Sequence, residues 1–264
     1  MSALLDGKVA LVTGSSKGIG RALAVGLARH GAAIGVNYKT DRDGAAETCA
    51  LIGREGGTAV SFGADISDPA AARSLVEKAS AELGSLHILV NNAGRTRFGP
   101  PSGVTDGDWD DVVGTNLRGP FATSVAAAQS MADGGSIVNI SSCAASLSIR
   151  DHSVYTMSKG GLEALTRQLA FEFAPRVRVN AIAPGPTGTT RAYEYDPDYD
   201  LKWSAVIPMG RVGQPEDYVG AVVFLASELS AFMTGEVLHV DGGWTLRGDA
   251  PSLAADYSRE RERG

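Results

Sequence analysis

Apolar, β-forming runs alternate with stretches of helical period along nearly the whole chain. Residues 8–13 read as a buried strand, followed by a glycine turn and a helix that places Ile19, Leu23 and Leu27 on one face. Gly31 closes that helix. Strands are predicted at 33–36, 58–62, 88–90, 136–140, 178–183 and 237–240. Helices are predicted at 43–55, 69–83 (with Pro69 in the first turn), up to about Met131, at 154–173 and at 215–225. Alternation of this kind predicts an α/β fold, a Rossmann-type doubly wound parallel sheet with helices on both faces.

Nothing in composition or repetition divides residues 1–248, so they are expected to form a single domain. Residues 186–210 break the alternation. They are rich in Pro, Gly and aromatics (Tyr193, Tyr195, Tyr199, Trp203) and fall just after a strand's carboxyl end, where ligands bind. A substrate lid is the expectation. Residues 249–264 end in Arg-Glu-Arg-Glu-Arg-Gly and read as a solvated C-terminal tail, with a subunit contact as the lesser reading.

Charge and cysteine content narrow the function. A net charge of -6 argues against a nucleic-acid partner, which usually demands a basic face. The two cysteines, Cys49 and Cys143, can form neither a metal cage nor a disulfide framework, so no metal is expected. The N-terminal MSALLDGK lacks the features of a signal peptide, and no window resembles a membrane span. A cytoplasmic protein is expected.

The chemistry resides in a few ordered motifs. A strand feeds Gly14-x-x-x-Gly18-x-Gly20 and then a helix, whose first amides suit a pyrophosphate. Further on stand Asn91-Asn92-Ala93-Gly94, Ser142, and Tyr155 with Lys159 four residues later. Tyr155 and Lys159 share one helix face, and the ammonium favours the phenolate of a group that titrates near about 10 when alone. Such a Tyr can exchange a proton with a carbonyl oxygen.

This set resembles the short-chain dehydrogenase/reductase family from Gly7 to Trp244, and most of all its 3-oxoacyl-acyl-carrier-protein reductase branch. Gly210-Arg211-Val212-Gly213 and Val240-Asp241-Gly242-Gly243 strengthen the match. The resemblance implies that Tyr155 is the general acid in reduction and that Lys159 tunes it and bonds the nicotinamide ribose. It also implies that Ser142, 13 residues before Tyr155, donates to the substrate oxygen, with Ser141 as the lesser choice. Asn116 matches the family position that holds a water relay to Lys159; bonding to its own helix backbone is the alternative.

For the cofactor, the resemblance implies contacts from Gly14, Ser16, Lys17, Gly18, Ile19 and Gly20. Asp65 is expected at the adenine with Ile66 beside it, and Asn91 under the ribose, bracing the sheet, near Ala93 and Gly94. A helix cap is the other reading of Asp65. Pro184, Gly185, Thr187 and Thr189 are expected along the pyrophosphate and nicotinamide. NADPH is preferred over NAD because Val36-Asn37-Tyr38-Lys39 lacks the acid that grips a ribose 2′-hydroxyl, while Lys17 and Lys39 suit a 2′-phosphate. Asp41 and Asp43 are assigned to the next helix start, and solvated lysines are the bland alternative.

The expected reaction is NADPH-dependent reduction of a ketone, on a small-molecule or polyketide-like substrate. Carrier-protein docking is disfavoured because residues 131–135 hold no Lys or Arg, although Arg176 remains a possible docking residue. The alternatives are 3-oxoacyl-carrier-protein reduction, alcohol or sugar oxidation with either nucleotide, and a non-catalytic nucleotide sensor. A homotetramer or homodimer is implied, with the helices at 115–131 and 154–173 at one interface. The small residues there, Ala126, Ala127, Ala128, Gly160 and Gly161, suit either close helix approach between subunits or packing on the chain's own sheet. His152, three before Tyr155, reads as pocket lining or a cap.

Overall fold

The computed structural model describes residues 3–247. Seven strands form one sheet: β1 Val9–Val12, β2 Ala33–Tyr38, β3 Ala59–Gly63, β4 Ile88–Asn91, β5 Gly135–Ile140, β6 Val177–Pro184 and β7 Val237–Val240. All neighbours pair in parallel, in the order β3-β2-β1-β4-β5-β6-β7. The order reverses between β1 and β4, and a crevice for a ligand opens at the carboxyl ends there.

The helices are α1 Gly18–Arg29, α2 Arg42–Arg54, α3 Pro69–Leu83, α4 Asp106–Val113, α5 Gly119–Ser130, α6 Ser153–Phe173, α7 Thr190–Tyr195, α8 Tyr199–Ser204 and α9 Val219–Ala226. Two cores lie on opposite faces of the sheet. Leu23, Leu27, Ile52 and Val222 pack α1, α2 and α9 on one face, and Leu75, Ala127 and Leu169 pack α3, α5 and α6 on the other. Strands covered on both faces must be apolar throughout, which is why β1 and β4 read as unbroken runs.

Local chemistry sets the boundaries. Asp68 accepts from Ala70 N at 2.9 Å and Pro69 takes the first turn, so α3 starts where predicted. Asp41 accepts from Gly44 N at 3.1 Å and starts α2, with Asp43 in its first turn, as expected. The stretch 215–225 is a 3₁₀ turn, Pro215–Tyr218, running into α9, rather than one helix.

One other expectation needs correction, and two features left open by the pattern are settled. Residues 186–210 are not one irregular loop, because Thr189 caps α7 by accepting from Ala192 N at 3.2 Å, and α8 follows. A π turn, Gly114–Arg118, links α4 to α5 and was not foreseen. Ala127 and Ala128 are buried in the chain's own core, and a Cβ at Gly161 would stand 2.9 Å from Leu117 Cδ2. Those small residues therefore serve intrachain packing. The 249–264 tail lies outside the described residues.

Candidate active site

The turn after β1 is built around close backbone approach. Gly14 has φ +61°, and a Cβ there would lie 2.8 Å from Ala93 Cα, so glycine alone fits. Thr13 Oγ1 accepts from Asn92 N and Ala93 N at 3.0 and 3.1 Å, and Asn92 Nδ2 donates to Thr13 O and Gly14 O at 2.9 Å each. These bonds lock the turn after β1 to the turn after β4. A Cβ at Gly20 would strike both Gly14 O and Asn92 Nδ2.

The outer side of this turn is open. Gly18, φ +56°, has nothing within 4 Å of a built Cβ, and Lys17 is exposed in extended backbone at the start of α1. Helix amides facing open space beside a lysine fit a pyrophosphate. Ser16 is nearly buried, and its side chain together with Gly44 N holds the Asp41 carboxyl below its ordinary range. Ile19 is half-buried against the first core.

Lys39 and Asp65 meet across the β2 and β3 ends, with Nζ 2.7 Å from Oδ2. Burial pushes the Asp65 pKa up, but hydrogen bonds from Lys39 and Ser67 outweigh it and hold the carboxyl low. Asp68, not Asp65, caps α3, so the cap reading of Asp65 falls.

Burial narrows two of the cofactor expectations. Ile66 is 3% exposed and packs where Gly119 leaves room in the second core, so its side chain is not free to lie beside an adenine. Asn91 donates to Ser124 Oγ and Asn139 Oδ1 at 3.0 and 2.9 Å and accepts from Thr123 Oγ1 at 2.7 Å. Its side chain braces β4 against β5 and α5, the second half of its expected role.

The reacting groups gather beyond β5. Lys159 is buried and donates to Ile140 O at 2.6 Å, with its Nζ 5.8 Å from the Tyr155 ring centroid. Burial pulls the Lys159 pKa down to about 8, against the raising effect of Glu163. Ser158 Oγ donates to Tyr155 O at 2.7 Å and accepts from Asn116 Nδ2 at 3.0 Å. Asn116 also exchanges bonds with the Arg95 main chain, N to Oδ1 at 2.7 Å and Nδ2 to O at 2.8 Å. It bonds no carbonyl of its own helix among the described residues, and its side chain ties the loop after β4 to α6.

The two serines separate clearly. Ser141 is buried and donates to Glu163 Oε1 at 2.8 Å. Ser142 is half-exposed and its oxygen accepts only from Ala144 N at 3.2 Å, which leaves its O–H to donate. Gly94 completes this corner, since a Cβ there would come within 3.8 Å of Lys159 Nζ. Cys143 donates to Ala183 O and Asp241 Oδ2, and burial followed by Asp241 pushes its thiol pKa far up, which makes it an inert core residue.

The far wall comes from the segments after β6. Pro184 is buried, and a Cβ at Gly185 would sit 2.8 Å from Asp241 Cα. Thr187 Oγ1 bonds Gly185 O at 2.8 Å and Tyr218 OH at 2.5 Å, so that hydroxyl serves the wall and not a cofactor. Thr189 Oγ1 accepts from Ala192 N in the α7 cap, which leaves its O–H to donate. A series of ring contacts, Tyr193–Tyr199–Trp203–Trp244, runs through α7 and α8 to the turn after β7 with centroids 5.2 to 6.3 Å apart, the first and last pairs edge-to-face and the middle one tilted. Phe98, His152 and Tyr155 form a second row, at 4.7 and 6.3 Å.

Sequence reasoning missed Thr13, Asn37 and Asn92. Asn37 Oδ1 accepts from Gly14 N at 3.1 Å while Nδ2 donates to main-chain oxygens of Phe62 and Ala64. A polar side chain at the carboxyl end of an apolar run was the available signal.

A glycine turn at the switch point, a Tyr–Lys pair and a free seryl hydroxyl define the site of a dinucleotide-dependent oxidoreductase. Residues 14–245 match the family model described as enoyl-(acyl carrier protein) reductase. An uncharacterized oxidoreductase of Methylorubrum extorquens is 41% identical over 243 residues, covering 90% of this chain and 98% of that protein. A putative short-chain alcohol dehydrogenase from Sinorhizobium meliloti 1021 superposes with a TM-score of 0.89 at 41% identity, over 94% of this chain and all of that one. The angucycline C-6 ketoreductase LanV, solved with bound NADP, gives a TM-score of 0.88 at 36% identity, over 94% and 99%. The chain belongs to the short-chain dehydrogenase/reductase family, close to its 3-oxoacyl-acyl-carrier-protein reductases, and is an NAD(P)-dependent oxidoreductase.

Proposed function

We propose that this protein reduces a ketone to a secondary alcohol with NADPH, on a flat, polyketide-like small molecule. The observation that carries the reading is the Tyr155–Lys159 pair, with Lys159 anchored to Ile140 O at the end of the strand that leads to Ser142, whose oxygen accepts from Ala144 N and keeps its O–H to donate. The similar ketoreductase, solved with NADP, supports it.

Ser142 and Tyr155 donate to the carbonyl oxygen, and Tyr155 gives up its proton as negative charge develops there. The Lys159 ammonium beside the ring stabilises the phenolate that remains. Asn116 and Ser158 hold the Tyr155 main chain in place. The dinucleotide, when bound, supplies the hydride. Gly14, Gly18 and the α1 amides would hold its pyrophosphate, and Lys17 and Lys39 its 2′-phosphate.

Lys39 can answer to a 2′-phosphate because its bond to Asp65 is weakly held. Both side chains are more than a third exposed, at 42% and 36%, and such pairs contribute little. Lys39→Asp should therefore raise the Kd for NADPH by at least about tenfold more than that for NADH, a shift of about 1.4 kcal/mol. Parallel fluorescence titrations with the two nucleotides check this. Equal changes in both would move recognition of the 2′-phosphate elsewhere.

Carrier-protein reduction is the second reading, favoured by the family branch. Arg176, its remaining docking candidate, donates to Met131 O at 2.8 Å and to Ala128 O, so it caps α5. Purified protein should reduce aryl ketones with NADPH faster than 3-oxoacyl thioesters; the reverse order would transfer the assignment.

A cytoplasmic homo-oligomer belongs to the same proposal. Cys49 and Cys143 are both unpaired, as in a reducing compartment. Phe121 on α5 and Met157 and Phe171 on α6 are 50%, 50% and 83% exposed, large apolar side chains on the helices expected at an interface. Light scattering after size exclusion should give a dimer or tetramer mass, reduced in Phe171→Asp. A monomer at micromolar concentration would sink the oligomer.

A further inference from the structure

His152 is a polar group beside Tyr155 to which the reaction above gives no task. It sits on a turn that the fold holds firmly. Asp151, just before it, has φ +63°, a left-handed conformation that non-glycine residues avoid and that clusters at functional sites. Asp151 O accepts from Gly99 N at 3.0 Å, which fastens this turn to the loop after β4. Phe98, on that same loop, packs edge-on to the imidazole with centroids 4.7 Å apart and planes at 66°. The imidazole is thereby clamped between Phe98 and the Tyr155 ring, 6.3 Å away.

The clamp also fixes the tautomer. His152 Nδ1 lies 2.7 Å from Arg150 O, and a carbonyl oxygen can only accept, so Nδ1 carries the proton. In the neutral ring Nε2 is then an acceptor, and the bond to Arg150 O, made through Nδ1, leaves it uncommitted. The ring is half-buried, not solvent-flooded. Next to it, Tyr155 and Ser142 offer only donors to a ketone oxygen. The cleft thus presents two donors for a carbonyl and one acceptor a ring's distance away.

We propose that His152 Nε2 accepts a hydrogen bond from a substrate hydroxyl adjacent to the reacting carbonyl, making His152 a specificity-determining residue and aromatic hydroxyketones the favoured substrate class. The inference rests on the ketone-reductase reading and narrows it. An acceptor covered by the bound substrate and left unpaired is costly, so a ketone lacking the hydroxyl is selected against, and one with a methoxy group in its place more strongly. Phe98 supplies an apolar edge for the ring that bears the hydroxyl.

The test compares 8-hydroxy-1-tetralone, 8-methoxy-1-tetralone and 1-tetralone as substrates with NADPH, in the wild type, His152→Phe and His152→Gln. Thermal melts confirm that each variant folds. The wild type should prefer the hydroxyketone over the methoxyketone by at least about tenfold in kcat/KM, with most of the difference in KM. His152→Phe should bring that ratio close to one, and His152→Gln, whose amide oxygen can accept, should restore part of it. An unchanged ratio in His152→Phe would overturn the inference, as would failure of all three tetralones while another ketone is reduced. Failure to bind NADPH or reduce any ketone would instead remove the underlying function.

Discussion

Tyr155→Phe should lower kcat for ketone reduction by on the order of 10² to 10⁴, the usual contribution of a positioned general acid. NADPH binding should survive. The helix that carries Tyr155 is held through main-chain and neighbouring groups: Ser158 Oγ to Tyr155 O, Asn116 Nδ2 to Ser158, and Lys159 to Ile140 O. None of these needs the phenolic oxygen, so phenylalanine keeps the architecture and deletes only the proton. Single-turnover reduction with prebound NADPH separates the two contributions, since it reports chemistry without product release. A kcat within a fewfold of wild type would place the proton source elsewhere, and Ser142→Ala would then be the variant to examine. Ser142→Ala itself should cost less than Tyr155→Phe, because it removes a stabilising donor and leaves the acid.

The legible parts of this protein are those in which local and global demands coincide. Asp68-Pro69 can start a helix and do little else there, and β7 is bounded by residues that suit a strand end, so both elements fall where the pattern places them. The Tyr–Lys pair was readable because four residues is one helical turn. The rest depends on partners far apart in sequence. Lys39 and Asp65 are candidates separately, but their 2.7 Å bond arises from the pairing of β2 with β3. Asn91 reads as a brace of the sheet, but its partners Thr123, Ser124 and Asn139 arrive only with α5 and β5.

The partners of Asn116 were hidden for a related reason. The π turn Gly114–Arg118 places that side chain against the Arg95 main chain, and neither Gly114 nor Thr115 signals such a turn. The lid shows the opposite limit. Six-residue helices are too short to display a period, so α7 and α8 look like loop until Thr189 is seen to cap the first. Buried polar networks and short helices are settled by tertiary structure, and this site uses both.

Lys159 yields the second large effect, and it couples activity to stability with a definite sign. Its pKa is drawn from 10.5 down to about 8 by burial, so the folded protein holds this charge at a cost of about 3 kcal/mol below pH 8. That cost is relieved as pH rises from about 8 toward 10.5, because over this window the unfolded chain keeps a proton that the folded chain has released. Lys159→Met removes the titration and also the bond to Ile140 O, leaving a buried carbonyl at a cost of about 1–3 kcal/mol. Near pH 7 the two changes offset and the variant should melt close to wild type. Toward pH 10 the wild type should gain stability relative to the variant, whereas parallel melting curves would mean that Lys159 titrates normally. Activity should move the other way. The variant lacks the cation that stabilises the phenolate and should lose on the order of 10² or more in kcat. Wild-type kcat/KM should in turn fall above about pH 8, as the free protein's ammonium discharges. Stability rising through the same pH interval in which activity falls would mark one buried amine as the origin of both.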